Sequence, residues 1–521
     1  MKSTPSVRHN VIANFAGSTW TKIFGLAFVP IYIKLMGVEV YGLLGIFMSL
    51  VALLSLLEMG LSATLSRELS RLSAVKNSEQ ESRDLVRTFE VVYWGIGVLL
   101  GIAVAMLAPL IAKYWISSTN VSNETVEQAL LIMGVSIAFQ WPGTIYSGGL
   151  MGLQQQIVLN VIRSVSVTVQ HVGAVVVLLL ISPSILLFFL WQSFVALLTT
   201  IALAVWLWKS LAKSRHQSRF DIGLIVKNWQ FASGMMGISL VTILLTQIDK
   251  IILSKMLTLE MFGYYMLAFN VANALHGLVT PISSALFPKF TQLVASAEES
   301  NLITLYHKGC QLLSVLVLPV AITIAIFAKD ILTLWLGDTM AAQNSHQILT
   351  LLIIGTALNA LMTLPYTLQL AHGWTKLAFY KNIVAVIFLV PLMVWMVQMY
   401  QGIGAAWVWI ILNLGYFIFE VPIMHRRLLK GEMGKWYRRD IILPILIVST
   451  IGLIAREILP VNSSKMILLL GVLSTFALAF VASAWATGHL NIIQFIQLLK
   501  ANDRRKSGRT DSTVSIEQSP K

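Results

Sequence analysis

The sequence predicts an all-α polytopic membrane protein of about fourteen transmembrane helices, arranged as two six-helix lobes related by an internal repeat, plus two C-terminal helices. Hydrophobic residues make up 57% of the 521 positions and charged residues only 12%, and the mean hydropathy is +0.78. The apolar residues gather into runs of roughly 20, the length at which a helix crosses about 30 Å of hydrocarbon. A nine-residue pattern that occurs twice indicates the repeat.

The apolar runs form two sets of six and a final pair. The first set lies near 11–33, 40–62, 89–111, 128–150, 164–182 and 185–207. The second lies near 231–256, 263–287, 309–328, 346–371, 382–399 and 403–424, and the pair near 440–459 and 465–487. These runs predict an N-terminal lobe over 1–210, a cytoplasmic linker over 211–230, a C-terminal lobe over 231–430, two additional helices over 431–490 and a basic cytoplasmic tail over 491–521.

The repeated pattern lies in the hinge between two apolar runs in both copies. One copy spans Lys34 to Gly42 and the other Lys255 to Gly263, 221 residues later, with Lys, Glu, an aromatic residue and Gly at matching positions. Pro142 and Pro365 keep nearly the same offset, and each is followed by a turn. Internal repeats in a membrane chain are typical of transporters, which bind their substrate between two packed halves.

The basic residues predict the orientation of the helices. Most of the 37 Lys and Arg residues fall in alternate connecting segments, which are expected to be cytoplasmic, and this arrangement leaves both termini inside. The net charge of +14 is then explained by an inner surface that faces anionic lipid, so no nucleic-acid partner is expected. The single cysteine, Cys310, excludes an internal disulfide.

Polar residues inside the predicted spans indicate a wet interior. Lys22 falls near the middle of the first span, and Asn14, Ser18, Thr21 and Gly25 recur at helical spacing beside it. A charge at this depth costs several kcal/mol unless it is paired or faces water. We therefore expect Lys22 to line a water-filled cavity. The alternative is a structural lysine paired with an acidic side chain or with carbonyl groups of a neighbouring helix.

The seventh and eighth spans carry similar polar stripes. Asp249 is the candidate residue for binding a coupling cation or proton, or for positioning Lys250. The alternative is that Asp249 and Lys250 form an anchor near the outer interface that fixes the tilt of the helix. Because helix neighbours point about 100° apart, the two side chains are not expected to pair directly. The other polar residues are Ser239, Thr242 and Thr246 on the seventh span and Asn270, Asn273, His276 and Thr280 on the eighth. If the halves face each other, the predicted cavity residues are Lys22, Asn14, Thr21, Lys250, Asn270 and Asn273.

Several short motifs recur along the sequence in the order expected of one family. They are Asn14-Phe-Ala-Gly, the pattern from Pro30 through Glu39 and Tyr41 to Leu43, Leu57 to Ala63, Arg67-Glu68, Gln247 to Lys255, and Gly263-Tyr-Tyr265. Together they resemble the polysaccharide-lipid flippases of the multidrug/oligosaccharidyl-lipid/polysaccharide exporter superfamily. The resemblance covers most of the chain through residue 424. Glu58 stands where that family usually has Asp, a departure that keeps the charge.

The resemblance implies a flippase for an undecaprenyl-diphosphate-linked oligosaccharide, such as an O-antigen or capsule repeat unit, in a bacterial inner membrane. It implies alternating access by two lobes, a proton or sodium ion as the coupling ion, and polysaccharide polymerase and ligase proteins as partners. Lys22 and Lys250 would offset the diphosphate charge, and the Asn and Thr stripes would bind sugar hydroxyl groups.

Other functions make different demands on the sequence. No Walker A motif is present, so ATP drive within this chain is not expected, and no catalytic residues, metal or cofactor are predicted. A drug/cation antiporter of the same fold would need an acidic cavity, and a peptidoglycan lipid-precursor flippase would use similar chemistry. A membrane-bound glycosyltransferase would need catalytic carboxylates facing an acceptor, whereas the predicted outer acidic residues are scattered among short turns.

Overall fold

The described part of the chain is almost entirely helical. The computed structural model describes residues 7–58, 60–73, 75, 77–214, 216–224, 226, 247–337, 339–459 and 464–488. The helices before residue 226 are α1 (Val7–Ala27), α2 (Val29–Met36), α3 (Glu39–Leu54), α4 (Leu61–Leu72), α5 (Glu79–Tyr114), α6 (Asn123–Gly152), α7 (Gln156–Leu180) and α8 (Ile185–Ser210). Those after it are α9 (247–256), α10 (Leu259–Asn273), α11 (His276–Ala295), α12 (Glu299–Ile326), α13 (Ala328–Leu336), α14 (Thr339–Leu361), α15 (Thr363–Ala371), α16 (Lys376–Gly415), α17 (Val421–Leu428), α18 (Met433–Lys435), α19 (Leu443–Ile458) and α20 (Lys465–Ala486).

Nine helical segments of the described residues are long and apolar enough to cross a membrane. They are Glu79–Tyr114, Asn123–Gly152, Gln156–Leu180, Ile185–Ser210, Glu299–Ile326, Met340–Ala371, Lys376–Leu428, Met433–Ile458 and Lys465–Ala486. The longest contains two predicted spans, separated at Gln401, where φ is 52°. The nine segments therefore match ten of the fourteen predicted runs. The chain is a multi-pass, all-α membrane protein.

Three of the remaining predicted runs are not single helices. The run 11–33 is divided at Phe28, where Pro30 lies in the first turn of α2 and has no N–H to continue the hydrogen bonds of the preceding helix. The run 40–62 changes from α-helix to a short 3-10 helix after Leu54, and 263–287 is interrupted after Asn273. Most of the last remaining run, 231–256, lies outside the described residues, and so do Ser239, Thr242, Thr246 and the predicted tail 491–521.

The two copies of the repeated pattern fold alike. In each copy one helix, α2 or α9, ends within the repeated pattern, and the next helix, α3 or α10, begins within it. When α3 is shifted by 221 residues, its ends agree with those of α10 to within two residues. The repeat inferred from nine residues is therefore also a repeat of local structure, and both copies break at equivalent places.

The two copies also pack against each other. A Cβ atom placed on Gly42 would overlap the backbone oxygen of Leu259, and one placed on Gly263 would overlap the backbone oxygen of Val38. Val38 and Leu259 are counterparts under the 221-residue shift, as are the two glycines, so the contact is reciprocal. The glycines of the pattern are thus explained by close approach of two helix backbones.

The helices pack as two compact units. One contains the described parts of 1–277, 328–356 and 376–415, and the other those of 278–327, 357–375 and 416–521. In the first unit, α5 and α6 approach closely where Gly101 and Gly134 face each other's carbonyl groups. In the second, α12 packs against α19 and α20. The lobe boundaries near residues 210 and 231 remain a prediction.

The beginning of the predicted linker is attached to the first unit. The backbone N–H of Arg219 donates to Asp84 Oδ1 at 2.7 Å, and that of Asp221 donates to Thr88 Oγ1 at 3.0 Å. Both acceptors lie in the first turns of α5, and the Arg83 guanidinium stacks 5.1 Å from the ring centre of Trp208. Residues 219–221 therefore lie along the N-terminal turns of α5.

Candidate functional site

A cavity of about 350 Å³ lies within the first unit, beside the break between α1 and α2 and the break that follows α10. Its walls come from α1, α2, α3, α7, α8, α9 and α10. The polar residues that line it are Lys22, Tyr32, Tyr41, Gln170, His171, Gln192, Gln247, Lys250, Asn270 and Asn273. Helices that break at a polar cavity are typical of transporter binding sites, because the freed backbone and side chains can contact a ligand.

Lys22 reaches the cavity from the last turns of α1. Its side chain is exposed, and its ammonium lies over Gly277, where a Cβ atom would stand 2.7 Å from Nζ. His276 lies close enough to interact with the same charge. The absence of a side chain at residue 277 leaves room for the ammonium, so the structure places this cation at the cavity wall, as the sequence predicts.

Lys250 forms an ion pair with its chain neighbour, which contradicts the sequence prediction. Its Nζ donates to Asp249 Oδ1 at 3.0 Å and to Oδ2 at 3.2 Å, and it lies 3.9 Å from the centre of the Phe269 ring. The prediction considered only the 100° between Cβ directions. The flexible four-carbon stem of lysine can curl back, and the face of Phe269 holds the ammonium beside the carboxylate.

Asp249 lies behind Lys250. Its Oδ2 also accepts from the Tyr265 hydroxyl at 2.9 Å, so the carboxylate receives hydrogen bonds from two side chains. Asp249 is absent from the described residues that line the cavity, whereas the buried Lys250 is among them. The aspartate is therefore linked to the cavity lining through its contact with Lys250.

The two predicted asparagines of α10 line the cavity. Asn270 Nδ2 donates to the Tyr41 hydroxyl at 3.0 Å, and Asn273 is exposed one turn later. Asn14 and Thr21 are absent from the described lining. Asn14 accepts from Asn160 of α7, and the Thr21 hydroxyl donates to the Gly17 carbonyl at 2.9 Å. Of the six predicted cavity residues, the structure thus brings together Lys22, Lys250 and the asparagines of α10.

Side chains from α7 and α8 also line the cavity, and they are not among the predicted cavity residues. Gln170 donates to Gln192 across these helices, and His171 Nδ1 lies 2.8 Å from the Tyr32 hydroxyl. Gln170, His171 and Gln192 all fall within predicted spans, where polar side chains are costly. That cost is the signal that indicates these residues, whereas the predicted cavity set rests on the corresponding helices of the two repeats alone.

The lining has a distinct electrostatic character. Among the described residues that line it are two lysines and no Asp or Glu. Amide, imidazole and phenol groups supply the remaining polar atoms, and apolar side chains such as Leu26, Met48 and Phe188 complete the wall. Such a cavity can bind hydroxyl and amide groups and attract anions, and it offers a cationic ligand no carboxylate.

A multi-pass all-α fold around a polar, cationic cavity defines a membrane transport protein. The chain belongs to the polysaccharide biosynthesis protein family, whose model matches residues 7–294. It is 21% identical over 416 residues to a putative O-antigen transporter of Shigella flexneri, covering 78% of this chain and 94% of that protein. It is also 22% identical over 244 residues to the lipopolysaccharide biosynthesis protein WzxC of Escherichia coli (strain K12), covering 46% of this chain and 49% of that protein. These matches confirm the resemblance noted in the sequence.

Solved structures share the fold. The lipid II flippase MurJ in an inward closed conformation aligns with a TM-score of 0.70 at 15% identity, covering 90% of this chain and 97% of that chain. An inward-facing multidrug resistance MATE family transporter of the MOP superfamily aligns with a TM-score of 0.61 at 13% identity, covering 82% of this chain and 96% of that chain. At these identities the likeness shows the fold alone.

Proposed function

We propose that this protein is a flippase that moves an undecaprenyl-diphosphate-linked oligosaccharide, an O-antigen or capsule repeat unit, across the bacterial inner membrane. The observation that carries the proposal is the chemistry of the cavity, whose described lining combines two lysines with amides and no carboxylate. A sugar diphosphate has an anionic group and many hydroxyl groups, and this lining is complementary to both. The similarity to a putative O-antigen transporter supports the same substrate class.

In this proposal, a lysine binds the diphosphate and amide side chains bind the sugar. The Lys22 ammonium attracts the diphosphate, because it is exposed at the cavity wall, where it lies over Gly277. Asn270, Asn273 and the Gln170–Gln192 pair hydrogen-bond to sugar hydroxyl groups. The polyprenyl tail needs no polar partner and stays in lipid, since burying its apolar surface there costs nothing.

The size of the cavity fits one state of an alternating-access cycle. At about 350 Å³ it is near the lower end of the range of small-molecule pockets, about 300–1,000 Å³. It would hold the diphosphate and part of a repeat unit. A larger chamber must form when the cavity opens toward one side of the membrane. We place both termini in the cytoplasm by the distribution of basic residues, and polymerase and ligase proteins are the partners of the exported glycan.

Asp249 is proposed to couple transport to an ion gradient through its pairing with Lys250. While the carboxylate is ionised, it holds the lysine ammonium at 3.0 Å. A proton or sodium ion bound at Asp249 would weaken that pair and release Lys250 toward the diphosphate. Coupling ion and substrate would thus favour the same state of the cavity.

The Asp249→Asn variant is expected to lose gradient-dependent transport while its membrane abundance stays close to wild type. Loss of a charge-assisted hydrogen bond, about 1.5–3 kcal/mol, corresponds to roughly a 10- to 100-fold decrease in gradient-dependent transport. The measurement is flipping of lipid-linked oligosaccharide in reconstituted vesicles, with and without a proton or sodium gradient. Tyr265→Phe, which removes one hydrogen bond to the same carboxylate and keeps its charge, is the matched control and should retain most of the coupling. Equal gradient dependence of Asp249→Asn and wild type would remove Asp249 from the mechanism.

Deletion of the gene in its host tests the function itself. We expect surface polysaccharide to be lost and lipid-linked repeat units to accumulate on the cytoplasmic side, with both effects reversed by the wild-type gene. Surface glycan that persists while sensitivity to cationic drugs rises would instead indicate the drug antiporter. Accumulated peptidoglycan precursor with normal surface glycan would indicate the peptidoglycan precursor flippase.

A further inference from the structure

The second unit contains a histidine held between two carboxylates. His307 of α12 has its Nε2 atom 3.1 Å from Glu432 Oε2, and its Nδ1 atom is hydrogen-bonded to Asp440 Oδ2. These acidic residues lie more than 120 positions further along the chain, in the segment that leads into α19. The cluster is separate from the cavity described above and takes no part in the mechanism proposed for it.

Asp440 is fixed as an acceptor. It is fully buried, its Oδ1 accepts from Gln311 Nε2 at 2.8 Å, and its backbone oxygen accepts from the Ser314 hydroxyl at 2.6 Å. Within the described residues, no Lys or Arg forms an ion pair with it. A buried carboxylate needs a compensating charge or proton, and His307 is the group placed to supply it.

The backbone explains why both carboxylates reach one ring. Asp440 follows Glu432 by eight positions, whereas two turns of α-helix take about 7.2 residues. The π-helical stretch Trp436–Ile442 accommodates the additional residue and returns Asp440 to the side of the helix that carries Glu432. Such π-helical turns occur frequently at functional sites.

The number of protons follows from the hydrogen bonds. A neutral imidazole has one N–H group and one acceptor nitrogen, whereas here an acidic oxygen faces each nitrogen. Both contacts are satisfied only when the cluster holds one proton more than neutral imidazole with two carboxylates. We propose that His307, Glu432 and Asp440 form a proton-binding site whose occupancy holds the segment 432–442 against α12.

His425 provides a contrast within the same region. Its Nδ1 atom lies 2.9 Å from the Val421 carbonyl and its Nε2 atom 3.3 Å from the Tyr306 hydroxyl. One nitrogen faces an acceptor and the other faces a group that can donate, so a neutral ring satisfies both contacts. A buried histidine in this unit therefore does not by itself bind an additional proton.

The surroundings leave a route for the proton. The side chain of His307 is 14% exposed and that of Glu432 13%, while Asp440 is 0% exposed. Lys435, 62% exposed, donates to Glu432 at 2.9 Å and marks the side that faces solvent. Protons enter at the Glu432 side of the ring. Among the described residues, the other titratable groups that contact the cluster or interact with its charges are Lys435 and Tyr437 from the facing segment, His425 from α17, and Tyr306 and Cys310 from α12 itself.

Hydrogen–deuterium exchange of the full-length protein in lipid nanodiscs tests the proposal. Peptides covering 430–442 are followed from pH 5.5 to 9.5, with exchange times scaled for the intrinsic pH dependence of amide exchange. We expect strong protection at low pH that falls with a single-proton midpoint as pH rises. An imidazolium stabilised by two carboxylates keeps its proton below the midpoint, and the contact weakens once the proton is lost.

Substitution of either carboxylate is expected to shift the pH midpoint of protection in a defined direction. Asp440→Asn and Glu432→Gln should each lower the midpoint by about one pH unit, because the imidazolium loses one stabilising anion. His425→Gln is the matched control and should leave the midpoint unchanged. Cys310, the single cysteine of the chain and 2% exposed, reports folding, since it resists alkylation when the unit is intact. Protection of the wild type that does not vary with pH would overturn the proposal, and so would an unchanged midpoint in both carboxylate variants.

Discussion

The Lys22→Ala variant is expected to reduce surface polysaccharide to the level of the gene deletion without lowering the amount of protein in the membrane. The ammonium is exposed at the cavity wall, so its removal leaves the packing intact but takes away the cation that lies over Gly277. A charge-assisted contact is worth about 1.5–3 kcal/mol, or roughly 10- to 100-fold in transport rate. Complementation of the deletion strain measures it, with quantitative immunoblotting of the membrane fraction.

Two further variants make this result specific. Lys22→Arg keeps the charge and should retain part of the activity, because a guanidinium also binds phosphate oxygens. Lys113→Ala removes an exposed lysine at the end of α5, away from the cavity, and should behave as wild type. Activity of Lys22→Ala equal to that of Lys113→Ala would show that Lys22 has no part in substrate binding.

The Gly42→Ala variant is expected to destabilise the protein by about 1–3 kcal/mol. The added methyl group would overlap the backbone oxygen of Leu259, and a backbone cannot move aside as a flexible side chain can. Gly263→Ala makes the reciprocal overlap with Val38 and should lower stability by a similar amount. Equilibrium unfolding of the purified protein in detergent micelles measures both.

Gly95→Ala is the matched control for this pair. Gly95 also lies within a helix, but a Cβ atom placed on it meets nothing within 4 Å. The substitution should be neutral or stabilising by up to about 1 kcal/mol, since alanine favours helix. If Gly42→Ala unfolded at the same point as Gly95→Ala, the close approach of α3 and α10 would contribute nothing to stability.

Features that depend on local sequence were predictable. Apolar runs predict helices because a lipid-exposed backbone must satisfy its own hydrogen bonds, and ten of the predicted runs lie within long apolar helical segments. The turns after Pro142 and Pro365 were also predicted, and they appear after Gly152 and Ala371, where α6 and α15 end. The helix breaks were missed, because hydropathy averages over the junctions and does not register a local change in backbone geometry.

Features that depend on contacts between distant residues were not predictable. The four cavity residues found by sequence lie on corresponding helices, where the repeat predicts convergence. Gln170 and Gln192 come from α7 and α8, and no periodicity in the chain relates them to Lys22. The ion pair of Lys250 depends on Phe269 and Tyr265, and the Asp440 cluster joins residues that sequence analysis treated as belonging to separate segments.

The reciprocal contact between the repeats has the form of a homodimer interface. In a two-fold dimer, if one position of the first subunit contacts another position of the second subunit, then the same two positions also meet with the subunits exchanged. Gly42 with Leu259 and Val38 with Gly263 obey this rule, because each pair consists of the same two positions taken from opposite copies. The single chain therefore contains, between its two repeats, an isologous contact of the kind by which two identical molecules recognise each other.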